Sequence, residues 1–291
     1  MTATETTGSA RPAPAAGPAR LPSPFALGLV RARVELLGFL RERDAVVFIF
    51  AYPLIMMAIF AAVFGGEEQA FDMGPAAVGI DFAQYFLPGM IATGTMLSSF
   101  QTVAISIAVE RDDGTLKRLR ATPLPAVSYF LGKVWQVLLV SVAQTAGLVA
   151  LAALAFDVPL PDDGRWLTFA WVFVLGTATG TVCGVAFSTV PRSGRSASAV
   201  VTSVVLVLQF ISGVFFAFPS LPGWMQQIAA LFPLKWIAQG MRSVFLPDAF
   251  AAVEPAGEWQ HPAIAATLGI WLILGLVIGV RTFRWRRRDD G

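Results

Sequence analysis

Long apolar runs separated by short polar segments set the pattern of this 291-residue chain. A helix of about 20 residues crosses the roughly 30 Å hydrocarbon core of a bilayer. Six runs have about that length or more, and Lys133 is the one charged residue within them. They occupy residues 45–64, 84–109, 128–156, 166–190, 197–218 and 262–280. The pattern therefore predicts an all-α polytopic membrane protein, with six transmembrane helices over residues 45–280.

The segment before the first run has two parts. Residues 1–24 are rich in proline, alanine and glycine and have no apolar core, which predicts a disordered tail. Residues 25–44 have helical periodicity instead, with leucines on the side away from a narrow polar line. That line consists of Arg31, Glu35, Gly38 and Glu42. An amphipathic helix in the membrane interface is expected, in which Arg33 can reach lipid phosphates or a partner; a plain lead-in helix is the alternative.

A charged loop, residues 110–125, separates the second and third runs. Its charged members are Glu110, Arg111, Asp112, Asp113, Lys117, Arg118 and Arg120. Gly114 breaks the preceding helix, Thr115 can cap a new one, and Pro123 after Thr122 stops it. Leu116 and Leu119 then share one face at a spacing of three residues. The loop is predicted to be a short amphipathic helix whose two leucines face water until a protein partner covers them.

Polar side chains form stripes along the second and third runs. They are Thr95, Ser98, Ser99, Thr102 and Ser106 in the second run, and Gln136 and Gln144 in the third. Polar groups at membrane depth point toward other helices or toward a cavity. These stripes therefore either bond helix to helix or line a substrate path, and the sequence does not separate the two.

A ridge of small residues runs along the fourth span. Gly176, Gly180 and Gly184 form a double small-xxx-small repeat, which lets two helix backbones approach closely. The ridge could pack within this chain or against a second one, and we favour packing within the chain.

The stretch 219–250 is hydrophobic but is not a span. Prolines divide it into pieces of roughly ten residues, which are too short to cross a bilayer. Short re-entrant or interfacial helices on the outer side are predicted. Trp224 and Trp236 would lie in the aromatic belt, and Lys235 and Arg242 would face polar surroundings.

Composition and charge place the chain in a membrane. The sequence is 56% hydrophobic and only 14% charged, outside the range of ordinary soluble domains. Of its 21 lysines and arginines, 17 lie in the N-terminal segment, the charged loop, the loop at residues 192–195 and the tail 281–291. By the positive-inside rule we expect both termini and the charged loop on the cytoplasmic side of the plasma membrane. The basic tail suits anionic lipid, and no nucleic-acid partner is indicated.

Residues for catalysis or metal binding are not grouped in the sequence. No GxxxxGK[ST] phosphate loop occurs, and Cys183 is the single cysteine. His261 has no clustered partner, and the Asp-Asp-Gly triplets at 112–114 and 162–164 fall on opposite sides of the predicted membrane. We expect no catalytic residue, no metal site and no cofactor bound by this chain.

Two blocks carry a family resemblance. The first is Glu110-Arg111, Gly114-Thr115-Leu116, Leu119 and Thr122-Pro123. It resembles the loop after the second span in the ABC-2 family of exporter membrane subunits, particularly the daunorubicin-resistance type of permease. The second block, PLKWIAQGMRSVFLPD at residues 233–248, resembles the segment before the last span in that family. Elsewhere the likeness is one of layout, six spans.

The resemblance implies a permease that exports an amphipathic drug, lipid or natural product, as in multidrug or antibiotic resistance. A separate cytosolic ABC ATPase, holding ATP and Mg²⁺, would dock on the charged loop and the N-terminal helix. A second copy of the chain or a related permease would complete the path.

The resemblance also implies roles for particular residues. Leu116 and Leu119 would insert into the ATPase surface, and Glu110 would join a polar contact at the base of the second span. Acidic groups of the ATPase would meet Arg111, Lys117, Arg118 and Arg120. The coupling set is completed by Gly114, Thr115, Pro123, Arg31 and Arg33.

Two other classes of protein stay open. An ion-coupled carrier is one, although none of the six predicted runs contains a carboxylate, which a proton relay usually needs. A non-transporting membrane assembly subunit is the other, although such a protein has no need of hydroxyl stripes or of a separate outer block.

Overall fold

A computed structural model describes residues 22–64 and 80–283, and every regular element within those ranges is a helix. Most of the predicted N-terminal tail lies outside the described residues, as do residues 65–79 and nearly all of the basic tail. The helices are α1 (Pro24–Arg41), α2 (Arg43–Phe64), α3 (Phe82–Met96), α4 (Thr102–Asp112), α5 (Thr115–Arg120), α6 (Ala126–Ala155), α7 (Asp163–Phe187), α8 (Gly194–Ile211), α9 (Gly223–Ala230), α10 (Pro233–Phe245) and α11 (His261–Thr282). A π-helical turn, Leu97–Gln101, joins α3 to α4.

Six helical segments in the described ranges are long and apolar enough to cross a membrane, which confirms the six-span prediction. They are α2, the continuous segment Phe82–Asp112, α6, α7, α8 and α11. Most ends differ from the expected ones by up to three residues; the second span, for example, continues to Asp112, and the fifth span ends seven residues early. The fourth span ends at Phe187, where the next hydroxyls, Ser188 and Thr189, donate back to carbonyls of the last turn. The fifth ends at Ile211 because Gly213 turns the chain with φ +74°.

The second span is the central helix of the bundle. Its most apolar 18-residue window is 83% buried, against 22% for α2 and for α11. The π-helical turn near its middle frees backbone carbonyls, and the Thr102 hydroxyl donates to the Leu97 carbonyl at 2.9 Å. Helices α2, α6, α7 and α8 pack directly on this segment, whereas α11 packs on α7 and α10.

The glycine ridge of α7 packs within the chain. A Cβ atom at Gly184 would lie 2.7 Å from the Phe100 carbonyl oxygen in the π-helical turn. A Cβ atom at Gly180 would collide with the Ser99 side chain, and one at Gly176 would press on Ile237 of α10. The ridge thus sets the spacing between α7 and the central helix.

Helix α1 lies along the first half of α6. A Cβ atom at Gly132 of α6 would meet Arg31 of α1, and one at Gly28 of α1 would meet Leu131 of α6, so the helices are in close contact. The predicted polar line of α1 points into the bundle at Glu35, which is only 9% exposed. Leu37 and Leu40 face outward on the opposite side, and Arg33 is also exposed. The membrane-interface position of α1 stays a prediction.

The outer segment forms the two short helices α9 and α10. Helix α10 packs against α3 and α7, and all of its residues are buried. Lys235 and Arg242 lie inside the protein, where the polar groups around them are Gln239 and Glu254 of the same chain. Trp236 is also buried and donates its indole N–H to the Ala230 carbonyl at 2.8 Å, whereas Trp224 is exposed.

The glycine ridge makes a prediction about stability. Gly184→Ala should destabilise the protein by about 1–3 kcal/mol, because the added methyl group meets a backbone carbonyl in a packed interface. Gly147→Ala in α6 is the matched control, with no heavy atom within 4 Å of the added methyl. It should be neutral or stabilising by up to about 1 kcal/mol. Thermal unfolding of the detergent-purified variants measures both effects, and equal midpoints would refute the packing argument.

Candidate functional site

Helix α5, in the charged loop, packs against the rest of the chain through its leucines instead of exposing them to water. Leu116 is 0% exposed and packs in a cluster with Val103, Ile107 and Tyr129, so the expectation of an exposed leucine pair is wrong. Leu119 is half-buried against the same cluster. The two leucines fix α5 to the base of the second and third spans, where they are covered by this chain itself.

The local geometry explains how α5 begins and ends. Gly114 occupies the N-cap position with φ +79°, a left-handed conformation that glycine adopts readily. The Asp113 carboxylate, and not the Thr115 hydroxyl, accepts a backbone N–H of the first turn, that of Thr115, at 2.8 Å. At the other end the Thr122 hydroxyl donates to the Leu119 carbonyl at 2.6 Å, just before Pro123. The helix is thus a single tight unit of six residues.

The outward face of α5 is cationic. Lys117, Arg118 and Arg120 are exposed, and Arg118 donates to the Thr115 hydroxyl at 3.0 Å. Arg111 differs from them, because it is half-buried and donates to the Pro191 carbonyl in the α7–α8 loop at 3.2 Å. Its expected place on a docking surface therefore changes to a link between two loops.

Beneath α5 lies a buried ionic cluster formed by Arg31, Glu35, Glu110 and Lys133. The Lys133 ammonium is 2.7 Å from a carboxylate oxygen of Glu35 and 2.7 Å from one of Glu110. Arg31 pairs with Glu35 and lies 3.5 Å from Glu110. The cluster therefore joins α1, α4 and α6 through charge.

Lys133 is the centre of that cluster. Its side chain is 1% exposed, so this one charged residue of the apolar runs lies inside the bundle and does not reach its surface. Its ammonium also donates to Ser106 at 3.2 Å, and Tyr129 donates its hydroxyl to Glu110 at 2.7 Å. Glu110 is thus held by the Tyr129 hydroxyl as well as by charge, whereas Glu35 is held by the two cations. Sequence spacing within α1 indicated Glu35, but nothing local connected it to residue 133.

A cavity of about 700 Å³ opens beside the cluster. Its walls come from α1, α2, α4, α6 and α8 and include Thr102 and Gln136 of the predicted stripes. Phe39, Phe48 and Ile49 supply apolar surface on the facing side. The size and mixed lining are those of a small-molecule cavity.

Ser106 of the stripe also lines this cavity, whereas Thr95, Ser98, Ser99 and Gln144 lie in helix packing and do not. Ser98 and Ser141 share a hydrogen bond of 2.5 Å between α6 and the π-helical turn, and the Gln144 amide donates to the Ile49 carbonyl at 2.7 Å. The hydroxyls of Thr95 and Ser99 donate to carbonyls of their own helix. The stripes therefore divide into a packing part and a cavity part, a division that spacing alone does not show.

A second buried charge pair lies at the opposite end of the bundle. Arg242 of α10 donates to Glu254 at 2.6 Å, and both side chains are at most 2% exposed. Lys235 lies two turns earlier on the same face of α10, bonded to Gln239 and 3.6 Å from the ring centroid of Trp236. Burial lowers the pKa of the Lys235 ammonium to about 8, an effect that Glu254 partly opposes. This cluster fixes the outer helices to one another.

The described residues contain no group of three or more histidine, cysteine or carboxylate side chains placed to hold a metal ion. The carboxylates of the two clusters are instead paired with lysine and arginine.

Six apolar helices around a buried polar core define a multi-pass membrane transport protein. The chain belongs to the ABC-2 type transporter family, whose sequence model matches residues 30–246. This match includes α5, the ionic cluster and α10.

Relatives with assigned names agree with the family. The chain is 24% identical over 190 residues to the probable multidrug ABC transporter permease YbhR of Escherichia coli, a match covering 65% of this chain and 51% of YbhR. The chain thus spans about half the length of that relative. It is 25% identical over 200 residues to the inner membrane transport permease YadH of E. coli, covering 67% of this chain and 74% of YadH. ABC transporter G family member 23 of Dictyostelium discoideum is 21% identical over 232 residues, covering 78% of this chain and 31% of that protein.

The ionic cluster generates a prediction. Lys133→Met should destabilise the protein by about 3 kcal/mol, because it removes the cation that lies 2.7 Å from both carboxylates and leaves Glu35 and Glu110 with Arg31 alone. Arg33→Met on α1 is the control, since Arg33 is exposed and its loss should change stability by no more than about 0.5 kcal/mol. Thermal unfolding in detergent gives both values.

The same cluster can be tested for coupling between its members. Adding Glu35→Gln to Lys133→Met should recover part of the lost stability, since one of the two stranded charges is removed. A double variant as unstable as the sum of the two single variants would show that the residues act independently.

Proposed function

We propose that this chain is the membrane subunit of an ATP-driven exporter that works with a separate cytosolic ABC ATPase. The proposal rests on family membership together with one observation, the cationic face of α5 mounted on a buried ionic cluster. ATP and Mg²⁺ are held by the ATPase, since the sequence contains no phosphate-binding loop. The chain lies in the plasma membrane, and both of its termini are on the cytoplasmic side.

The ATPase docks on α5 through charge. Arg118 and Arg120 face outward from a helix whose opposite side is locked by Leu116, so acidic groups of a partner can reach them without moving the helix. Exposed arginines of this kind set the rate of encounter and the specificity of docking. A push on α5 then passes through Glu110 and Lys133 to α1 and α6.

The substrate is an amphipathic drug, lipid or natural product, and its path begins in the cavity beside the cluster. Gln136 and Thr102 supply polar contacts there, and the phenylalanines of α1 and α2 supply apolar ones. The word multidrug in the name of YbhR describes that relative and is consistent with an amphipathic substrate here. A second copy of the chain or a related permease completes the path on the exposed side of α2 and α8.

The structure removes one argument against an ion-coupled carrier. The helix of the second span continues to Asp112, so Glu110 lies within it, and two carboxylates share Lys133 beside a cavity. Such a group could carry a proton. Dependence on the energy source separates the two functions, because transport into vesicles by a carrier stops with a protonophore and transport by the exporter stops with removal of ATP.

Docking makes a prediction about α5. Replacing Arg118 and Arg120 together by glutamate should abolish co-purification with the ABC ATPase and lower substrate-stimulated ATP hydrolysis at least tenfold. The thermal midpoint of the permease itself should stay unchanged, because both side chains are exposed.

The control is Arg192→Glu together with Arg195→Glu, a second pair of exposed arginines in the α7–α8 connection. This pair should keep the ATPase bound, and equal losses in both double variants would mean that docking follows overall charge rather than α5. Leu116→Asp is unsuitable for this test, because a buried leucine is needed for folding.

A further inference from the structure

An apolar groove of about 510 Å³ lies on the side of the bundle away from the polar cavity. It runs between the first turns of α6 and the last turns of α7 and α11, near the end of the bundle at which α5 lies. Its lining is aliphatic and aromatic apart from Lys133 and Thr181. Thr181 donates to the Thr177 carbonyl of its own helix, and the Lys133 ammonium binds the two carboxylates. The groove therefore offers no polar group that still needs a partner.

The walls of the groove open toward the membrane. Val127 and Val134 of α6 are 62% and 46% exposed, and Leu276 and Val280 of α11 are 56% and 75% exposed. Gly275 and Gly279 of α11 line the floor of the groove, where α11 packs closely on α7: a Cβ atom at Gly275 would lie 2.9 Å from Val182. A recess of several hundred cubic ångströms with an aliphatic lining in a membrane-spanning bundle suits an acyl chain.

Positive charge lies at one end of this groove. Arg281 is exposed in the last turn of α11, one residue beyond Val280 of the groove wall. An arginine at the end of a membrane span attracts anionic lipid headgroups.

We propose that the groove between α6, α7 and α11 binds one anionic phospholipid, with an acyl chain in the recess and the phosphate on Arg281. Charge complementarity selects this occupant over a zwitterionic lipid, and the continuity of the groove with the membrane-facing surface selects it over a protein helix. The site is separate from the polar cavity, because the two openings lie on different sides of α6.

The bound lipid also reaches the helix that is proposed to receive the ATPase. Phe130 and Phe283 line the groove, and their rings are 5.1 Å apart at an edge-to-face angle. Both pack against the cluster that buries Leu116 of α5. An acyl chain in the groove therefore stabilises the hydrophobic cluster against which α5 packs. This consequence for coupling rests on the proposed function, whereas the binding of lipid does not.

Native mass spectrometry of the delipidated, full-length protein tests the site. The probes are palmitoyl-oleoyl phosphatidylglycerol and the phosphatidylcholine with the same acyl chains, added singly in neutral detergent. One phosphatidylglycerol molecule should be retained about fivefold more strongly than phosphatidylcholine, the factor expected for a single lysine or arginine contact. Equal retention of the two lipids would overturn the proposal.

Variants locate the site. Val134→Trp should fill the groove and lower phosphatidylglycerol retention at least tenfold, while Val142→Trp should leave it unchanged. Val142 is exposed on the same helix but outside the groove. Leu276→Trp fills the groove from its other wall and serves if Val134→Trp does not fold. Unchanged retention in a folded groove variant would refute the site.

The headgroup contact is tested separately. Arg281→Gln should bring retention of the two lipids to within about twofold of each other, with phosphatidylcholine binding intact. Arg192→Gln, at an exposed arginine elsewhere on the same end of the bundle, should keep the preference. These measurements use no ATPase, so a failure here leaves the exporter proposal standing, and a failure of ATPase docking leaves the lipid site standing.

Discussion

A single cation shared by two buried carboxylates organises the end of the bundle where α5 lies. Lys133 enters a region of low dielectric, where an unpaired charge would cost several kcal/mol. It is stable there because α1 brings Glu35 and α4 brings Glu110, each to 2.7 Å. The pairing of Lys133 requires close helix packing. Gly132, next to Lys133 in sequence, has no side chain, so α1 can approach closely enough to place the Glu35 carboxylate beside Lys133.

At the opposite end of the bundle buried charges are also paired, but by different residues. Arg242 of α10 is paired with Glu254 at 2.6 Å, and the Gln84 amide of α3 donates to the Phe245 carbonyl at the end of α10. The central helix is thus held by polar contacts near both of its ends and by glycine packing against α7 in its middle. A displacement at one end can move this helix as a unit, because its middle has little free space in which to bend.

Much of the fold could be predicted from local pattern, because a span needs only length and hydrophobicity. The six spans, the two short outer helices and the small-residue ridge all follow from spacing that is visible within one segment. Helix ends were less predictable, since the stop after Ile211 depends on the φ +74° of Gly213 and not on a loss of hydrophobicity.

The site was harder to predict because its members are distant in sequence. Glu35 and Lys133 are 98 positions apart, and their pairing depends on how α1 folds back along α6. Leu116 shows the same difficulty, because its packing partners are also not visible in the local sequence. Its helical spacing with Leu119 indicated a shared face correctly, but spacing does not say whether water, another protein or Tyr129 of the same chain lies against that face.

The burial of Leu116 changes how a signal can pass through α5. An exposed leucine pair would couple a partner through a hydrophobic grip that forms and breaks with each docking event. A buried pair makes α5 a fixed part of the bundle. Only the contacts made by the charged side chains of its outer face then form and break at each encounter. Under the proposed function, motion of the ATPase is transmitted by rigid displacement of α5 with α4 and α6. The ionic cluster beneath is the step at which this displacement meets resistance, because separating Lys133 from either carboxylate exposes a charge to an apolar interior. The bundle therefore has reason to move as a block at this end, with the cavity beside the cluster changing shape as the block turns.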